Sequence, residues 1–421
     1  MTGQGDASEK ARDIYIARQP VFDGKGGIFG YELLFRTSLE NRFDARFSVD
    51  YAAAHTLLDV LTVFHLGELC RGRRAFINVT ETVLMEGLIR RIPPDQVVVE
   101  LLENVPPTRE VVREVAKLRN LGYVIALDDF QYDPDYQGLI ELAQIIKIDF
   151  TLTRGADREA IMGVIGRSGK QFLAEKVETR EDYETSRSMG YQLFQGYFFR
   201  KPMIVVGRDL PPNKLVLLQL LQEVNQKNTD IKVIEQLLRQ DVALSFKLLR
   251  LINSAVFGLF KEVRSIRHAV NLLGIREFQK WLSMMALARM SQDKPEELML
   301  QSLVRAVFCE GLSNGFVHHF QKSDFFLTGL FSLIDAFLDR PMEGILEQLP
   351  LEAQIKQALL GEPNTLGLVL DLCRCYEETR WDEVLGLSER LGIPRDEVGK
   401  AYLNALSTTN TFLAIHEEKS S

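Results

Sequence analysis

The chain reads as an α/β protein in which a TIM-like (β/α)₈ barrel precedes an all-α helical domain. Three features lead there. Up to about Pro202, short continuous apolar runs alternate with helix-like segments, and continuous runs suit strands buried on both faces. Beyond Pro211, helix follows helix with no β-like alternation. Between them, Ile204–Pro212 carries Gly207 and the Pro211-Pro212 pair, which interrupt regular structure. The expected units are a barrel over 12–205 and a helical domain over 206–415, with polar ends at 1–11 and 416–421 that order poorly.

The β-like runs are Ile14–Ala17, Tyr31–Phe35, Ala75–Val79, Val97–Leu101, Val124–Leu127, Ile145–Ile148, Phe172–Ala174 and Leu193–Phe194. Thr108 is placed to cap a helix that aligns Val111, Val115 and Leu118, with Gly122 at its end. Thr179 with Asp182 resembles a capping box, and Gly190 closes that helix. Strand–helix repetition over roughly 200 residues predicts the barrel, although periodicity alone is also compatible with an open doubly wound sheet. In the second half, helical spacing runs over Asn213–Gln226, Ile231–Leu238, Val242–Ile252, Ile275–Met290, Glu296–Phe320, Phe325–Phe337 and Glu352–Leu360. Trp381–Leu391 and Arg395–Leu406 form a final pair of helices.

The 421 residues accommodate a barrel plus a medium domain, and 46% hydrophobic with 26% charged residues is ordinary globular composition. Lys+Arg total 50 against 58 Asp+Glu, a formal charge of −8, which disfavours non-specific DNA binding. Met1–Lys10 has no apolar core and no run of about 18 apolar residues occurs. Neither a secretory signal nor a membrane span is expected, and the expected location is the cytoplasm. Cys70, Cys309, Cys373 and Cys375 lack zinc-ligand spacing and are expected to be free thiols.

Acids recur where the β-like runs end. Glu32 follows Tyr31; Asn78 ends Ala75-Phe-Ile; Glu100 ends Val97-Val-Val, with Glu103 three residues on. Asp128-Asp129 follows Val124–Leu127, Lys147 and Asp149 follow Ile145-Ile, and Glu175 ends Phe172-Leu-Ala, with Glu178 beyond. In a barrel these ends meet at one mouth, where that architecture places its chemistry. Converging carboxylates repel, so they require protons, solvent or cations. Hard oxygen donors suit Mg²⁺, Mn²⁺ or Ca²⁺, and paired ions about 3.5–4 Å apart are a device for phosphodiester attack. Taken singly, an acid after a strand is more often a helix cap or a solvated loop residue; the joint occurrence changes that balance.

The segments Glu32-Leu33-Leu34-Phe35-Arg36, Phe76-Ile-Asn78-Val-Thr, Glu100-Leu-Leu-Glu103, Asp128-Asp129-Phe130, Lys147-Ile148-Asp149, Ala174-Glu175-Lys176-Val177-Glu178-Thr179 and Gln195-Gly196-Tyr197, followed by Lys201-Pro202, resemble the EAL domain. That domain is a bacterial barrel that hydrolyses cyclic di-GMP, and the likeness spans about 12–203. It implies Glu32, Asn78, Glu100 and Asp128 as ligands of a first Mg²⁺ or Mn²⁺, and Asp128 with Asp129 for a second. It further implies Lys147 and Glu175 as the catalytic pair acting on water, Arg36 and Gln195 as ligand contacts, and Glu103 and Glu178 as supports. Two departures stand out. Gln131-Tyr132-Asp133-Pro134-Asp135-Tyr136 replaces a Gly-Thr-Gly turn, and Pro cannot trace a glycine turn. Lys176 replaces a glycine and is expected to point to solvent.

In the second half, Leu237–Leu244, Lys247–Ala255 and Ile266–Gly274 resemble the HDOD module, a helical output domain related to HD phosphohydrolases. None of His55, His65, His268, His318, His319 and His416 precedes an aspartate, so metal-dependent HD chemistry is not expected. His318 and His319 point about 100° apart on a helix and chelate poorly together. Asn253 and Ser254 serve either as a turn or as a partner contact. The whole resembles bacterial EAL–HDOD signalling proteins. The resemblance implies binding of divalent metal and cyclic di-GMP with hydrolysis to the linear dinucleotide, and a helical output that engages an unknown protein partner. It also implies a homodimer through barrel loops. The altered loop motivates the alternative, a catalytically inactive receptor or scaffold.

Overall fold

The computed structural model describes residues 15–36, 66–153, 155–166, 169–200, 212–226, 229–240, 265–316 and 319–417, with scattered positions between 244 and 263. Eight strands close into a barrel in chain order: β1 Tyr15–Asp23, β2 Ile28–Arg36, β3 Arg74–Val79, β4 Val97–Leu101, β5 Val124–Leu127, β6 Ile145–Asp149, β7 Gln171–Glu175 and β8 Leu193–Gln195. A closed barrel removes the open-sheet alternative. β2 to β8 run parallel, whereas β1 is antiparallel to both β2 and β8. The reversal follows from chain length: only Gly24–Gly27 separate β1 from β2, too few for the crossover that parallel strands need. Asp23 Oδ1 accepts from the amides of Lys25 and Gly27 at 2.7 and 3.0 Å and pins that hairpin turn.

Among the described residues, α1 Leu66–Leu69, α2 Glu81–Met85, α3 Arg109–Asn120, α4 Gln137–Leu142, α5 Gly155–Ile165 and α6 Arg180–Met189 accompany the strands. Thr108 Oγ1 caps α3 by accepting from the Val111 amide at 3.2 Å, and Val111, Val115 and Leu118 are buried. Thr179 caps α6 in the same way, accepting from the Asp182 amide at 3.1 Å. Inside the barrel a separate apolar layer takes one residue from each of seven strands: Val21, Phe76, Val98, Ala126, Ile145, Leu173 and Leu193. On β2 the corresponding residue is Gly30, where an added Cβ would lie 3.0 Å from the Phe76 ring.

The helical part comprises α7 Pro212–Val224, α8 Ile231–Gln240, α9 Ile266–Leu273, α10 Ile275–Met290, α11 Glu296–Gly311, α12 Lys322–Phe331, α13 Ile334–Leu338, α14 Met342–Gln348, α15 Ala353–Leu359, α16 Thr365–Glu377, α17 Trp381–Leu391 and α18 Arg395–Glu417. Three expectations need correction. Glu296–Phe320 is not one helix, because α11 gives way to a 3₁₀ turn at Leu312–Phe316 that carries Asn314-Gly315. Phe325–Phe337 divides between α12 and α13, where the Ser332 hydroxyl donates to the Gly329 carbonyl at 2.7 Å. The last helix continues past Leu406 to Glu417. Of Val242–Ile252 only Leu244, Ser245, Leu248, Leu249 and Ile252 are described, each in helical conformation, and the junction Ile204–Pro211 lies outside the described residues, as do His55, His65, His318 and Ser254. Asn253 bonds back to its own chain: Nδ2 donates to the carbonyls of Leu249 and Val263, and Oδ1 accepts from the Val263 amide at 2.6 Å. All four thiols are buried and unbridged.

The β1–β2 hairpin has no crossover helix of its own, and the helical part packs there. Tyr376 of α16 donates to the Ile16 carbonyl at 3.2 Å, and Tyr31 donates to Glu297 Oε2 at 2.9 Å. Gly399 of α18 lies against the Tyr15 ring.

Candidate functional site

Strand periodicity builds the site. Side chains two residues apart share a face. Two positions toward the rim from the apolar layer lie Asn78, Glu100, Asp128, Lys147, Glu175 and Gln195, with Glu32 two beyond Gly30. On the reversed β1 the same step runs backwards, from Val21 to Gln19, which pairs in register with Glu32. Asp128 follows the last β5 residue, yet its amide donates to the Leu101 carbonyl at 3.0 Å and continues the ladder. Every strand thus contributes one polar residue to a single ring.

Lys147 stands at the centre, 1% exposed. Its Nζ lies 2.8 Å from Asp128 Oδ1, 2.8 Å from Glu175 Oε1 and 3.4 Å from Glu32 Oε2, and it also pairs with Glu100. One ammonium therefore faces four carboxyl groups. Burial raises the Glu100 carboxyl, reinforced by Glu32, and burial pushes Glu175 up to about 8 against the pull of Lys147. Burial also opposes ionisation of Asp128, but the Lys147 charge and hydrogen bonds outweigh it, and this carboxyl sits below its ordinary value. Burial and its neighbour Asp128 raise Asp129. Burial works against the charge on Lys147, yet the surrounding carboxylates, Glu100 foremost, hold its ammonium above the ordinary value.

The chemistry of the donors fits a hard divalent cation. Oxygens of Glu32, Glu100 and Glu175 lie within 4.8 Å of one another, as do those of Glu103, Asp128 and Asp129. Asn78 Oδ1, Glu100 Oε2, Glu175 Oε2 and Gln195 Oε1 are buried without a hydrogen-bond donor facing them. Unsatisfied buried oxygens are costly, so four in one ring mark a place where positive charge is stabilising.

The remaining expected residues fall differently. Glu103 is exposed but keeps its carboxylate near Asp128 and Asp129. Glu178 is exposed and stands apart from both oxygen groups. Arg36 ends β2, and its side chain lies outside the described residues. The expectation for Lys176 holds only for its stem: the side chain is 53% exposed, while its ammonium pairs with Asp149. Its backbone occupies φ 52°, left-handed geometry that glycine takes at no steric cost. Gly196 has no alternative residue, because a Cβ there would lie 2.1 Å from the Val177 carbonyl oxygen. The Gln131–Tyr136 loop forms a 3₁₀ turn at Pro134–Tyr136 with Asp133 as its cap, and Tyr136 donates to the Glu103 carbonyl at 3.1 Å. Beside it opens a cavity of about 390 Å³ whose lining includes Glu103, Asp128, Asp129, Tyr132 and Tyr136.

Two residues escaped sequence reasoning. Gln19 lacks a neighbouring motif, and its signal is the period-two step from Val21, legible only once β1 is known to run backwards. Tyr197 was seen only as part of Gln-Gly-Tyr, yet its hydroxyl accepts from Gln19 Nε2 at 3.3 Å.

Comparison with known proteins gives a consistent picture. The EAL domain family matches residues 6–202 and the HDOD domain family residues 210–338. An uncharacterized Bacillus subtilis protein, YuxH, is 36% identical over 401 residues, covering 93% of this chain and 97% of its own. The cyclic di-GMP phosphodiesterase CdgJ of Vibrio cholerae is 35% identical over 394 residues, covering 93% of this chain and 91% of its own. Among solved structures, the Klebsiella pneumoniae BlrP1 manganese/cy-diGMP complex is 25% identical with a TM-score of 0.37, covering 45% of this chain and 56% of that one. No described helix is long and apolar enough to cross a membrane.

Proposed function

This chain belongs to the EAL–HDOD family, and from that premise we propose that its barrel binds a divalent cation, Mg²⁺ or Mn²⁺, together with cyclic di-GMP and hydrolyses one phosphodiester to give the linear dinucleotide. The carrying observation is the polar ring, in which four carboxyl groups surround one lysine and four buried oxygens lack donors. Glu32, Asn78, Glu100 and Asp128 would hold the cation, with Asp129 and Asp128 available to a second. A bound cation of this kind lowers the pKa of water and offsets charge on phosphoryl oxygens. Glu175 in its ionised form would take a proton from water, a form that a cation bound in the ring would favour over the buried acid, and Lys147 would orient that water. Gln195 steadies Glu32 by donating to Oε2 at 2.6 Å. Arg36, at the end of β2, is assigned to a phosphate of the ligand, Glu103 supports the second cation, and Glu178 is left without a direct contact.

The test is purified protein with Mn²⁺ or Mg²⁺ and cyclic di-GMP, with the linear product followed by chromatography. Asp128→Asn removes a charged donor and is expected to lower the rate about 100-fold, the scale of lost metal-site partners. An unchanged rate would refute the site. The tyrosine-pinned Gln131–Tyr136 turn favours a second reading, a non-catalytic receptor, which calorimetric binding without turnover would support. The helical part is assigned to output through a protein partner, and the protein to the cytoplasm.

A further inference from the structure

The polar ring continues out of the barrel. Gln195 Nε2 donates to Glu32 Oε2 at 2.6 Å and to Gln19 Oε1 at 3.1 Å. Gln19 Nε2 donates to the Tyr197 hydroxyl at 3.3 Å, and that hydroxyl donates to the Glu377 carbonyl at 3.2 Å. Gln19 and Tyr197 each accept in one place and donate in another, while Gln195 donates both ways, so the bonds run unbroken from a cluster carboxylate to the last residue of α16 and point one way from Gln195 outward. Such oriented chains polarise one another in a low-dielectric interior.

The far end is firmly held. The Glu377 carboxylate, on a residue 5% exposed, receives both Nε and Nη2 of Arg305 at 3.1 and 2.6 Å. It also receives Gln301 Nε2 at 3.0 Å and Arg200 Nη2 at 3.2 Å. Arg200 stacks its guanidinium 3.7 Å above the Tyr197 ring and reaches Glu378 at 3.0 Å. Arg200 and Tyr197 belong to the barrel segment just after β8, whereas Gln301, Arg305 and Glu377 belong to α11 and α16. The phenol is thus tied to the helical side directly through its hydroxyl, and its ring only through Arg200, which Glu377 holds.

We propose that Gln19 and Tyr197 are positioning residues that fix the Glu32 carboxylate through Gln195, and that docking of α11 and α16 on the barrel thereby sets the cation affinity of the polar ring. The inference rests on the cation-binding reading above. It adds what that reading lacks, a physical route by which the helical half governs the barrel. Partners beyond the ligating side chains orient them and carry about 10–100-fold in metal affinity.

The experiment uses the full chain and Mn²⁺ alone, titrated by calorimetry. Tyr197→Phe and Gln19→Leu are each expected to raise the Mn²⁺ dissociation constant about tenfold. The double variant is expected to be no weaker than the weaker single one, since both cut the same series. Tyr376→Phe removes a different bond between the halves, that to the Ile16 carbonyl, and is expected to bind Mn²⁺ as the parent does. A Tyr197→Phe protein that binds Mn²⁺ within about twofold of the parent overturns the proposal, as does equal weakening by Tyr376→Phe, which would mean general loosening of the interface. Amide exchange without metal separates this failure from failure of the cation reading. Tyr197→Phe is expected to speed exchange over 193–197 while leaving 97–101 unchanged. If the parent takes up no Mn²⁺, the cation reading falls, and unchanged exchange over 193–197 removes the relay as well.

Discussion

Among the described residues, Lys147 alone faces four carboxyl groups. Removing it leaves the carboxyl groups of Glu32, Glu100, Asp128 and Glu175 facing one another without their ammonium. Lys147→Met is expected to cost about 3–5 kcal/mol in chelator, the scale of a broken buried ion pair, and Mn²⁺ is expected to recover part of it. Urea unfolding with and without the ion reads this, and an identical deficit in both would mean that the ring takes no cation. Glu297 offers a pH signature. Burial, only partly offset by Arg18 and the Tyr31 hydroxyl, pushes its carboxyl to about 7 from an ordinary 4.5. Between those values the folded chain holds the proton more tightly than the unfolded one, so its contribution to stability falls as pH rises through 7. Glu297→Gln keeps an acceptor for Tyr31 and is expected to flatten that fall by on the order of 3 kcal/mol, measured as unfolding free energy at pH 5 and 8. At this scale the motif acids and Lys147 were legible, because each ends an apolar run. Gln19 was not, because its place depends on strand direction and the residues around it carry no motif.

Elements were legible where local chemistry decides them. Thr108 and Thr179 cap their helices as their side chains suggest, and the continuous apolar runs became strands. Boundaries set by packing were not. Thr365–Glu377 passed unremarked, although α16 supplies both Tyr376 and Glu377 to the barrel. Its importance lies in what it touches. The crossing of α11 and α12 is of the same kind: an added Cβ on Gly329 would stand 2.5 Å from the Arg305 carbonyl oxygen and 2.7 Å from the Ala306 Cα. Both are backbone atoms and cannot swing aside. Gly329→Ala is expected to cost about 3 kcal/mol, near the top of the overpacking range, with a lowered Tm by calorimetry. An unshifted Tm would show slack between these helices.

For the whole molecule, the two halves share a surface that neither completes alone. The β1–β2 hairpin has no crossover helix, and α16 and α18 stand against it through Tyr376 and Gly399. A chain ended after Leu338 would expose the apolar face around Tyr15 and Ile16, both buried in the intact protein. Such a truncation is expected to bind hydrophobic dyes and self-associate in size-exclusion chromatography, where the full chain does not bind dye. The order of two units was legible because their periodicities differ. Their contact was not, since it joins residues far apart in sequence, such as Ile16 and Tyr376, 360 positions apart.

The reversed first strand also decides where upstream chain arrives. Tyr15 pairs with Arg36, at the end of β2 nearest the acids, so the polypeptide enters this barrel at its doorway rather than its floor. A module or purification tag joined directly ahead of Tyr15 is delivered to the rim that carries the polar ring.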